Sequence, residues 1–243
     1  MVNEKKVLGV IGGLGPGATA HFMSLVTDMT DAPVDQEHIE MVVFSTPTIP
    51  DRTRHILDNT QPDPLPKMLE VGGKLSTLGA QFIAIPCVTA HYFYEKLESG
   101  IPVSIINGVG ETVRHLKEHG VTKVGIMATD GTIQSGIFAR ELQKQGMEPV
   151  IPSKKRQADV MHIIFDNVKA GLPADMERFC SVALELREQG AEAIILGCTE
   201  LSLVKRDNHI GPGFIDAMEV LAQQSVVRCG GKLKEAYTCL ISK

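Results

Sequence analysis

Two cysteines stand directly after apolar runs, at positions where a buried strand would give way to a helix. Cys87 follows the run 82–85 in the segment AIPCVTAH, and Cys198 follows the run 193–196 in the segment ILGCTEL. Unpaired backbone N–H groups at a helix start favour a nearby thiolate, so this placement predicts a lowered pKa for both thiols. Such a thiol could serve as a base or as a nucleophile.

The other cysteines carry a simpler interpretation. Cys180, Cys229 and Cys239 are interpreted as inert, because free cysteine is commonly a buried apolar residue. His91 follows Cys87 by one helical turn, which leaves two alternatives: a zinc site shared with Cys198, or a hydrolase in which His91 activates Cys87. The zinc site lacks a fourth ligand and the hydrolase leaves Cys198 unused, so we expect no metal here.

A glycine-rich loop follows the first apolar run. Gly13, Gly15 and the residues up to Ala18 satisfy the dinucleotide-binding pattern G-x-G-x-x-G/A. The acidic residue that normally accompanies this pattern is missing, since Phe44 and Ser45 stand at the end of the second run. A loop that presents backbone N–H groups to a carboxylate or phosphate is therefore favoured over a tight turn without a ligand. A dinucleotide-dependent oxidoreductase remains a weaker alternative.

Two cations are candidates for binding an anion. Arg52 follows a proline turn and Asp51, a residue suited to capping a helix, and it lies just after the second apolar run. It could pair with an acidic substrate, whereas Arg54 is interpreted as a surface residue. Lys169 ends a helical pattern, where a lysine complements the helix dipole, and spacing alone favours that role.

The elements that position these residues alternate along the chain. Apolar runs predict strands at 6–11, 39–44, 82–85, 103–106, 123–128, 148–150, 193–196 and 213–215. Amphipathic stretches predict helices at 18–30, 65–79, 91–98, 108–119, 131–145, 158–170, 174–189 and 216–229. Nearly continuous apolar strands between helices indicate parallel strands that are covered on both faces, and hence an α/β fold.

The chain also repeats itself. The segment KKVLGVIGGLGPGAT resembles TKVGIMATDGTIQSG, and FIAIPCVTA resembles AIILGCTEL. The repeat predicts two pseudo-symmetric parallel-sheet α/β domains, one of residues 1–106 plus 215–243 and the other of residues 107–214. Ligands of open α/β sheets bind at the carboxyl ends of the strands, so Cys87 and Cys198 should face each other across a cleft between the domains.

Composition narrows the class of protein. The 243 residues carry a formal charge of −5 and no basic stripe, which argues against nucleic acid as a partner. No apolar segment approaches the roughly 20 residues that span a bilayer, so no membrane partner is expected. Five cysteines, an odd number without close pairs, fit reduced thiols and a cytoplasmic protein.

Four motifs together resemble a known family. GVIGGLGPGAT, TIPDRT, PCVTAH and LGCTEL occur in the same order as in the aspartate/glutamate racemases, and the match runs from Val7 to about Val220. Cys-Thr-Glu at Cys198–Glu200 resembles the aspartate-racemase branch. The resemblance implies an amino-acid racemase that needs no pyridoxal phosphate or other cofactor, folds as two pseudo-symmetric α/β domains and forms a homodimer.

The same resemblance assigns expected roles to single residues. Cys87 and Cys198 match the catalytic pair of the family. The residues expected at the substrate are Gly13, Gly15, Arg52, Val88, Thr89, Lys169, Thr199 and Glu200. Arg52, and more loosely Lys169, match cations that hold an acidic side chain. Val88 departs from the family, which usually has an asparagine there, and this leaves the identity of the substrate open.

Inversion of an α-carbon requires two groups, because one proton leaves one face and another arrives on the opposite face. Two thiols across a cleft fit this requirement, with aspartate or glutamate as the expected substrate. The alternatives are a related enzyme that uses one or both cysteines, such as a hydantoin racemase, an isomerase or a decarboxylase. A binding module for amino acids without turnover is a further alternative, with Val88 as its clue.

Overall fold

The protein was examined as a computed structural model, which describes residues 5–242. Within these residues the strands form two parallel sheets. The first sheet has the order β2-β1-β3 and consists of β1 (Leu8–Gly12), β2 (Met41–Ser45) and β3 (Phe82–Ala84). The second sheet has the order β5-β4-β6-β7 and consists of β4 (Lys123–Ala128), β5 (Glu148–Val150), β6 (Ala193–Gly197) and β7 (Phe214–Asp216).

Helices cover the faces of both sheets. In chain order they are α1 (Pro16–Met29), α2 (Arg52–Leu57), α3 (Leu65–Thr77), α4 (Tyr94–Gly100), α5 (Gly108–Glu118), α6 (Asp130–Ser135), α7 (Ile137–Lys144), α8 (Lys154–His162), α9 (Met176–Glu188), α10 (Thr199–Asp207) and α11 (Ala217–Arg228). A 3₁₀ helix, Val88–Phe93, precedes α4, and a π-helical turn, Ile163–Val168, follows α8. The predicted α/β class with two parallel sheets is confirmed.

The central strands of each sheet are fully buried. Every residue of β1 and of β6 is buried, as expected for parallel strands with helices on both faces. This burial is why the sequence of these strands reads as an apolar run rather than as an alternating pattern. The carboxyl ends of both strands therefore hold the residues that follow them in fixed positions.

Four predicted elements differ in type or continuity: the helix 91–98 is 3₁₀ up to Phe93, and the helix 158–170 becomes π-helical from Ile163, while the strand 103–106 and the helix 131–145 differ more strongly. The predicted strand 103–106 is reduced to one parallel bridge between Ile105 and Ile83. The backbone N–H of Ile105 is donated to the Glu98 carboxylate instead of to a neighbouring strand. The predicted helix 131–145 is divided into α6 and α7 by Gly136, whose φ of 64° is left-handed and ends a helix.

For two short helices the sequence indicated a start, at Asp51 and at Cys198, but no bounds. Both α2 and α10 begin directly at a pocket-lining segment, and they extend for 6 and 9 residues. Segments of this length show too few turns for the apolar period to be recognised. They matter because α2 begins with Arg52 and α10 follows Cys198.

The last helix returns to the start of the chain. α11 packs between α1 and α5, and the backbone N–H of Lys6 bonds to the carbonyl of Cys229 at 3.0 Å. The predicted boundary at 214/215 falls inside β7, and residues 1–4 and 243 of the predicted first domain lie outside the described residues. The division into two domains stays a prediction. Among residues 5–242, no helix has the length and apolar character needed to cross a bilayer.

Candidate active site

One pocket lies where the carboxyl ends of the two sheets meet. It encloses about 320 Å³ of empty space and is lined by Leu14, Asp51, Arg52, Thr53, Cys87, Val88, Thr89, Thr129, Phe165, Lys169, Cys198, Thr199 and Glu200. Both cysteines and six of the eight predicted substrate-binding residues are therefore brought together. Gly13 and Gly15 do not line the pocket.

Cys87 is held in place through its backbone. It stands before the 3₁₀ helix, and its side chain is 7% exposed. The backbone N–H of Gly108 donates to Nε2 of His91 at 3.1 Å, so the proton of the neutral ring is on Nδ1 and is donated to the Cys87 carbonyl at 3.1 Å. Burial lowers the pKa of His91, which keeps the ring neutral.

This arrangement leaves His91 without a free nitrogen. A Cys–His hydrolase needs one ring nitrogen directed at the Cys87 sulfur, and a zinc site needs one directed at the metal. Both nitrogens of His91 instead tie the backbone of Cys87 to the start of α5. The geometry therefore argues against both alternatives that the sequence left open.

Arg52 is a fixed cation beside Cys87. Its guanidinium donates to the carbonyls of Leu14 and Pro50 at 3.0 Å each, while its Nε is buried without a partner. Burial disfavours the charged form, but the charge and hydrogen bonding of Cys87 and the carboxylates of Asp51 and Glu200 outweigh it and raise the pKa of Arg52. The Nε–H of this charged group has no acceptor among the described residues.

Cys198 stands in a different electrostatic setting. Cys198 precedes α10 and is 7% exposed. Its thiol donates to Oε2 of Glu200 at 2.7 Å. Burial, followed by the Glu200 carboxylate, raises the pKa of Cys198 well above its usual range, and Lys169 only partly opposes this. The predicted lowering of this pKa is therefore wrong, because desolvation and a like charge outweigh the helix dipole.

Glu200 links Cys198 to Lys169. Its other oxygen, Oε1, lies 2.9 Å from Nζ of Lys169, and Glu200 itself is 5% exposed. Burial disfavours the ammonium, but the charges of Glu200 and Cys198 outweigh it and raise the pKa of Lys169. The ammonium also lies 5.3 Å from the ring centre of Phe165, which belongs to the π-helical turn before it. Lys169 thus faces the pocket, which spacing alone did not favour.

Hydroxyl groups from both sheets meet at the pocket. The Thr89 hydroxyl lies 3.0 Å from those of Thr129 and Thr132, and all three residues are buried. The Thr199 hydroxyl donates to Glu200 at 3.2 Å. Thr129 was missed from the sequence, although the repeat contained the signal. It follows β4 in the second half as the glycine loop follows β1 in the first half.

The glycine loop serves the site indirectly. Gly13 has a φ of 89°, and its N–H donates to the Thr19 hydroxyl at 2.8 Å, so this group is not free for an anion. A Cβ at position 13 would lie 2.2 Å from the backbone nitrogen of Thr46, so only glycine fits. Gly15 caps α1 with its carbonyl. The Leu14 carbonyl between the two glycines holds Arg52, which indicates a tight turn that positions this cation.

Val88 faces two environments. It lines the pocket, is 8% exposed, and packs against the main hydrophobic core. Its side chain offers no hydrogen bond at a position next to Cys87.

A possible metal-binding cluster lies elsewhere. Among residues 5–242, His115, His119 and Cys239 offer ligand atoms within 4.8 Å of one another, and none of them lines the pocket. The Leu240 N–H donates to Nε2 of His115 at 3.1 Å, which occupies the lone pair a metal would need. The cluster therefore offers two free ligands rather than three.

Known proteins share this sequence pattern and fold. The model of the Asp/Glu/Hydantoin racemase family matches residues 11–225. The broad-specificity amino-acid racemase RacX of Bacillus subtilis is 29% identical over 225 residues, covering 90% of this chain and 96% of RacX. An aspartate racemase of Picrophilus torridus superposes with a TM-score of 0.85 at 30% identity, covering 97% of this chain and 99% of the other.

A more distant structure shares the fold alone. The glutamate racemase of Francisella tularensis, solved with D-glutamate, has a TM-score of 0.66 at 16% identity and covers 93% of this chain and 81% of its own. The family match spans most of the sequence, including both cysteine motifs. The chain therefore belongs to the Asp/Glu/Hydantoin racemase family, as the order of its motifs predicted.

Proposed function

We propose that this protein racemises an acidic amino acid, aspartate or glutamate, with Cys87 and Cys198 as the two proton-transfer groups. The observation that carries the proposal is the convergence of two thiols, one after each sheet's strand, on the same pocket. A racemase must remove the α-proton from one face and return a proton to the other. In each direction one sulfur acts as thiolate base and the other as thiol acid.

The carbanion formed at the α-carbon needs stabilisation, because an α-proton is far less acidic than a thiol. The pocket supplies preorganised polar groups for this purpose: the hydroxyls of Thr89 and Thr129, and the oxygen of the Thr199 hydroxyl, which can accept from an ammonium while its proton goes to Glu200. We assign the threonines to the α-amino and α-carboxylate groups of the substrate. The low exposure of both thiols keeps water away from the reacting carbon.

Arg52 supports an acidic substrate. Its charge is partly buried and fixed by backbone carbonyls, and its unpartnered Nε–H is a group that a side-chain carboxylate would satisfy. Charge-assisted hydrogen bonds of this kind are about twice as strong as neutral ones. Lys169 contributes less in this proposal, because Glu200 already pairs with its ammonium.

The test is a panel of L- and D-amino acids incubated with the protein and separated by chiral chromatography. The protein is first dialysed against a chelator and a carbonyl reagent, since the reaction needs no metal or pyridoxal phosphate. We expect aspartate or glutamate to racemise at an unchanged rate after dialysis. A rate that falls and returns with an added cofactor would contradict the mechanism, and no inversion of any amino acid would contradict the function.

The proposal also includes the oligomeric state of the protein and its location in the cell. The family resemblance implies a homodimer acting in the cytoplasm, where the five unpaired cysteines stay reduced. Sedimentation equilibrium should give about twice the chain mass of 26.3 kDa. A mass equal to one chain at micromolar concentration would contradict the homodimer.

A further inference from the structure

The two thiols face charges of opposite sign. Beside Cys87 stands the Arg52 guanidinium, and no side-chain acceptor contacts its thiol among the described residues. The Cys198 thiol instead donates to the Glu200 carboxylate at 2.7 Å. A thiolate on Cys87 would thus be paired with a cation, whereas a thiolate on Cys198 would face an anion.

Glu200 is itself fixed from the other side. Nζ of Lys169 lies 2.9 Å from Oε1, and the Thr199 hydroxyl donates to Oε2 at 3.2 Å. The carboxylate therefore cannot turn away from Cys198 without breaking its ion pair. The other charged or titratable groups that line the pocket are Asp51, Arg52 and Cys87.

The proton between Cys198 and Glu200 can move without changing the charge of the site. A thiol and a carboxylate become a thiolate and a carboxylic acid when the S–H bond breaks and an O–H bond forms. Lys169 remains beside the pair in both forms, so its positive charge balances either anion. Glu200 is thus a second group that can hold the proton of the Cys198 thiol. No carboxylate contacts the Cys87 thiol among the described residues.

We propose that Glu200 positions the proton of Cys198 and keeps it a thiol in the substrate-free enzyme. When Cys198 must act as base, its proton passes to Glu200, and Cys87 takes a proton from solvent so that it can act as the acid. The enzyme then rests with Cys198 as the acid and Cys87 as the base. This rests on the proposed racemisation and gives Glu200 a role other than binding substrate. It predicts unequal thiol ionisation rather than unequal efficiency, because an equilibrium constant of one makes kcat/KM equal in both directions.

The experiment measures ionisation of each thiol without substrate. Wild-type protein is alkylated with iodoacetamide from pH 5 to pH 12, and the rate of modification of the Cys87 and Cys198 peptides is followed by mass spectrometry, with circular dichroism showing the range over which the protein stays folded. In Glu200→Gln, the midpoint for Cys198 should fall by at least one pH unit, because the carboxylate that opposes ionisation is removed and the Lys169 ammonium remains, and an opposite charge within about 4–6 Å lowers a pKa by about 1–3 units. Alkylation of Cys198 at pH 7 should rise about tenfold or more.

Three variants make the result decisive. Glu200→Asp keeps the charge and should hold the midpoint near that of the wild type. Glu188→Gln makes the same chemical change at an exposed site of α9 and should alter nothing. If circular dichroism shows that Glu200→Gln is unfolded, Glu200→Ala takes its place with the same expected shift. An unchanged Cys198 midpoint in the folded variant overturns the proposal.

Turnover provides a second readout. The alkaline limb of kcat/KM reports ionisation of the catalytic acid of the free enzyme. It should move to lower pH in Glu200→Gln by the same amount as the alkylation midpoint. A shifted midpoint in a protein that racemises no amino acid refutes the proposed function alone. Racemisation with an unshifted midpoint refutes the role of Glu200 alone.

Discussion

A cysteine follows a strand at the same position in both halves of the chain, but the groups around the two thiols differ. After β3, Cys87 enters a 3₁₀ helix, its carbonyl is held by His91, and a guanidinium stands nearby. After β6, Cys198 enters an α-helix, and its thiol is held by a carboxylate. The internal repeat therefore fixes where a thiol lies but not how it ionises. The local partners of the two sulfurs differ in charge, with a cation near Cys87 and a carboxylate at Cys198.

The largest expected effect comes from removing either thiol. Cys87→Ser and Cys198→Ser should each lower racemisation by at least about 10³-fold, because a serine hydroxyl is too weak an acid to take the thiol's place. Cys180→Ser, on the exposed face of α9, should keep full activity. Chiral chromatography measures all three variants. Full racemisation by either active-site variant would rule out the two-thiol mechanism.

Isotope exchange in deuterated water sharpens the same comparison. The remaining thiolate of each variant could still remove and return a proton on its own face. One variant should then label mainly the L-enantiomer and the other mainly the D-enantiomer, without inversion. Labelling of the same enantiomer by both variants would place the two sulfurs on one face of the α-carbon.

The two halves also differ in the residue that caps the helix at the end of each half, which is α5 in the first and α11 in the second. Asn107 caps α5, whereas Asp216, fully buried, caps α11 and accepts from Ser202 at 2.7 Å. Its Oδ2 has no partner. Burial, and then the charge of Glu219, raises the pKa of Asp216 to about 7. The folded protein thus holds this proton more tightly than the unfolded chain.

Asp216→Asn should therefore remove a pH dependence of stability. Because the folded pKa lies above the unfolded value of 3.8, wild-type stability from this group falls as pH rises from about 4 to 7. The variant should be more stable than the wild type at pH 8 by roughly 2–4 kcal/mol, and similar to it near pH 4. Urea unfolding at both pH values measures the difference.

Asp63→Asn is the matched control for this change. Asp63 is exposed, and like Asp216 it accepts from the backbone N–H two residues ahead at 2.8 Å. We expect less than about 0.5 kcal/mol at either pH, as for surface substitutions generally. An equal effect in both variants would assign the gain to the cap rather than to burial of the charge.

Arg52 tests the cation on the Cys87 side. Arg52→Ala should raise KM for aspartate or glutamate by about 10- to 100-fold, since a hydrogen bond to a charged group contributes about 1.5–3 kcal/mol. KM for alanine should change much less. Arg54→Ala is the control, because Arg54 lies two residues further along α2 and is exposed. Equal losses with acidic and neutral substrates would mean that Arg52 only supports the loop through Leu14.

The smallest expected effect is at Val88. Val88→Asn adds a donor to the pocket wall beside Cys87 and should raise kcat/KM for aspartate about three- to tenfold. A substrate that prefers the valine should lose by a similar factor. Thermal unfolding is measured alongside, because Val88 also packs on the core. An unchanged kcat/KM for every amino acid in the panel would show that this side chain does not contact substrate.

Most strands and the placement of the thiols could be predicted from the sequence, because burial of a strand on both faces imposes a local apolar pattern. A parallel strand covered on both faces must be apolar throughout, as in β1 and β6, and the residue after such a strand must lie at the sheet edge. These rules were sufficient to bring Cys87 and Cys198 to one pocket. They also allowed the α/β class to be recognised.

The charges around the thiols could not be predicted in the same way. Lys169 directly follows the π-helical turn Ile163–Val168 and pairs with Glu200, which lies 31 positions further along the chain. Desolvation of Cys198 depends on packing from several elements at once, and it reverses the effect expected from the helix start. The helix break at Gly136 is different, because the dipeptide Ser135-Gly136 is a local turn signal. The charges around the thiols depend on contacts between distant segments.

The return of α11 to the start of the chain has a consequence for synthesis. α1 leaves the ribosome early, but the helix that covers it ends at Arg228, and Lys6 finds its backbone partner only at Cys229. The sheet built from β4 to β7 has all of its strands before then. On a ribosome that adds about 5–20 residues per second, the first half would expose apolar helix surface for roughly ten seconds or more. This interval is when a nascent chain of this topology would depend most on a chaperone.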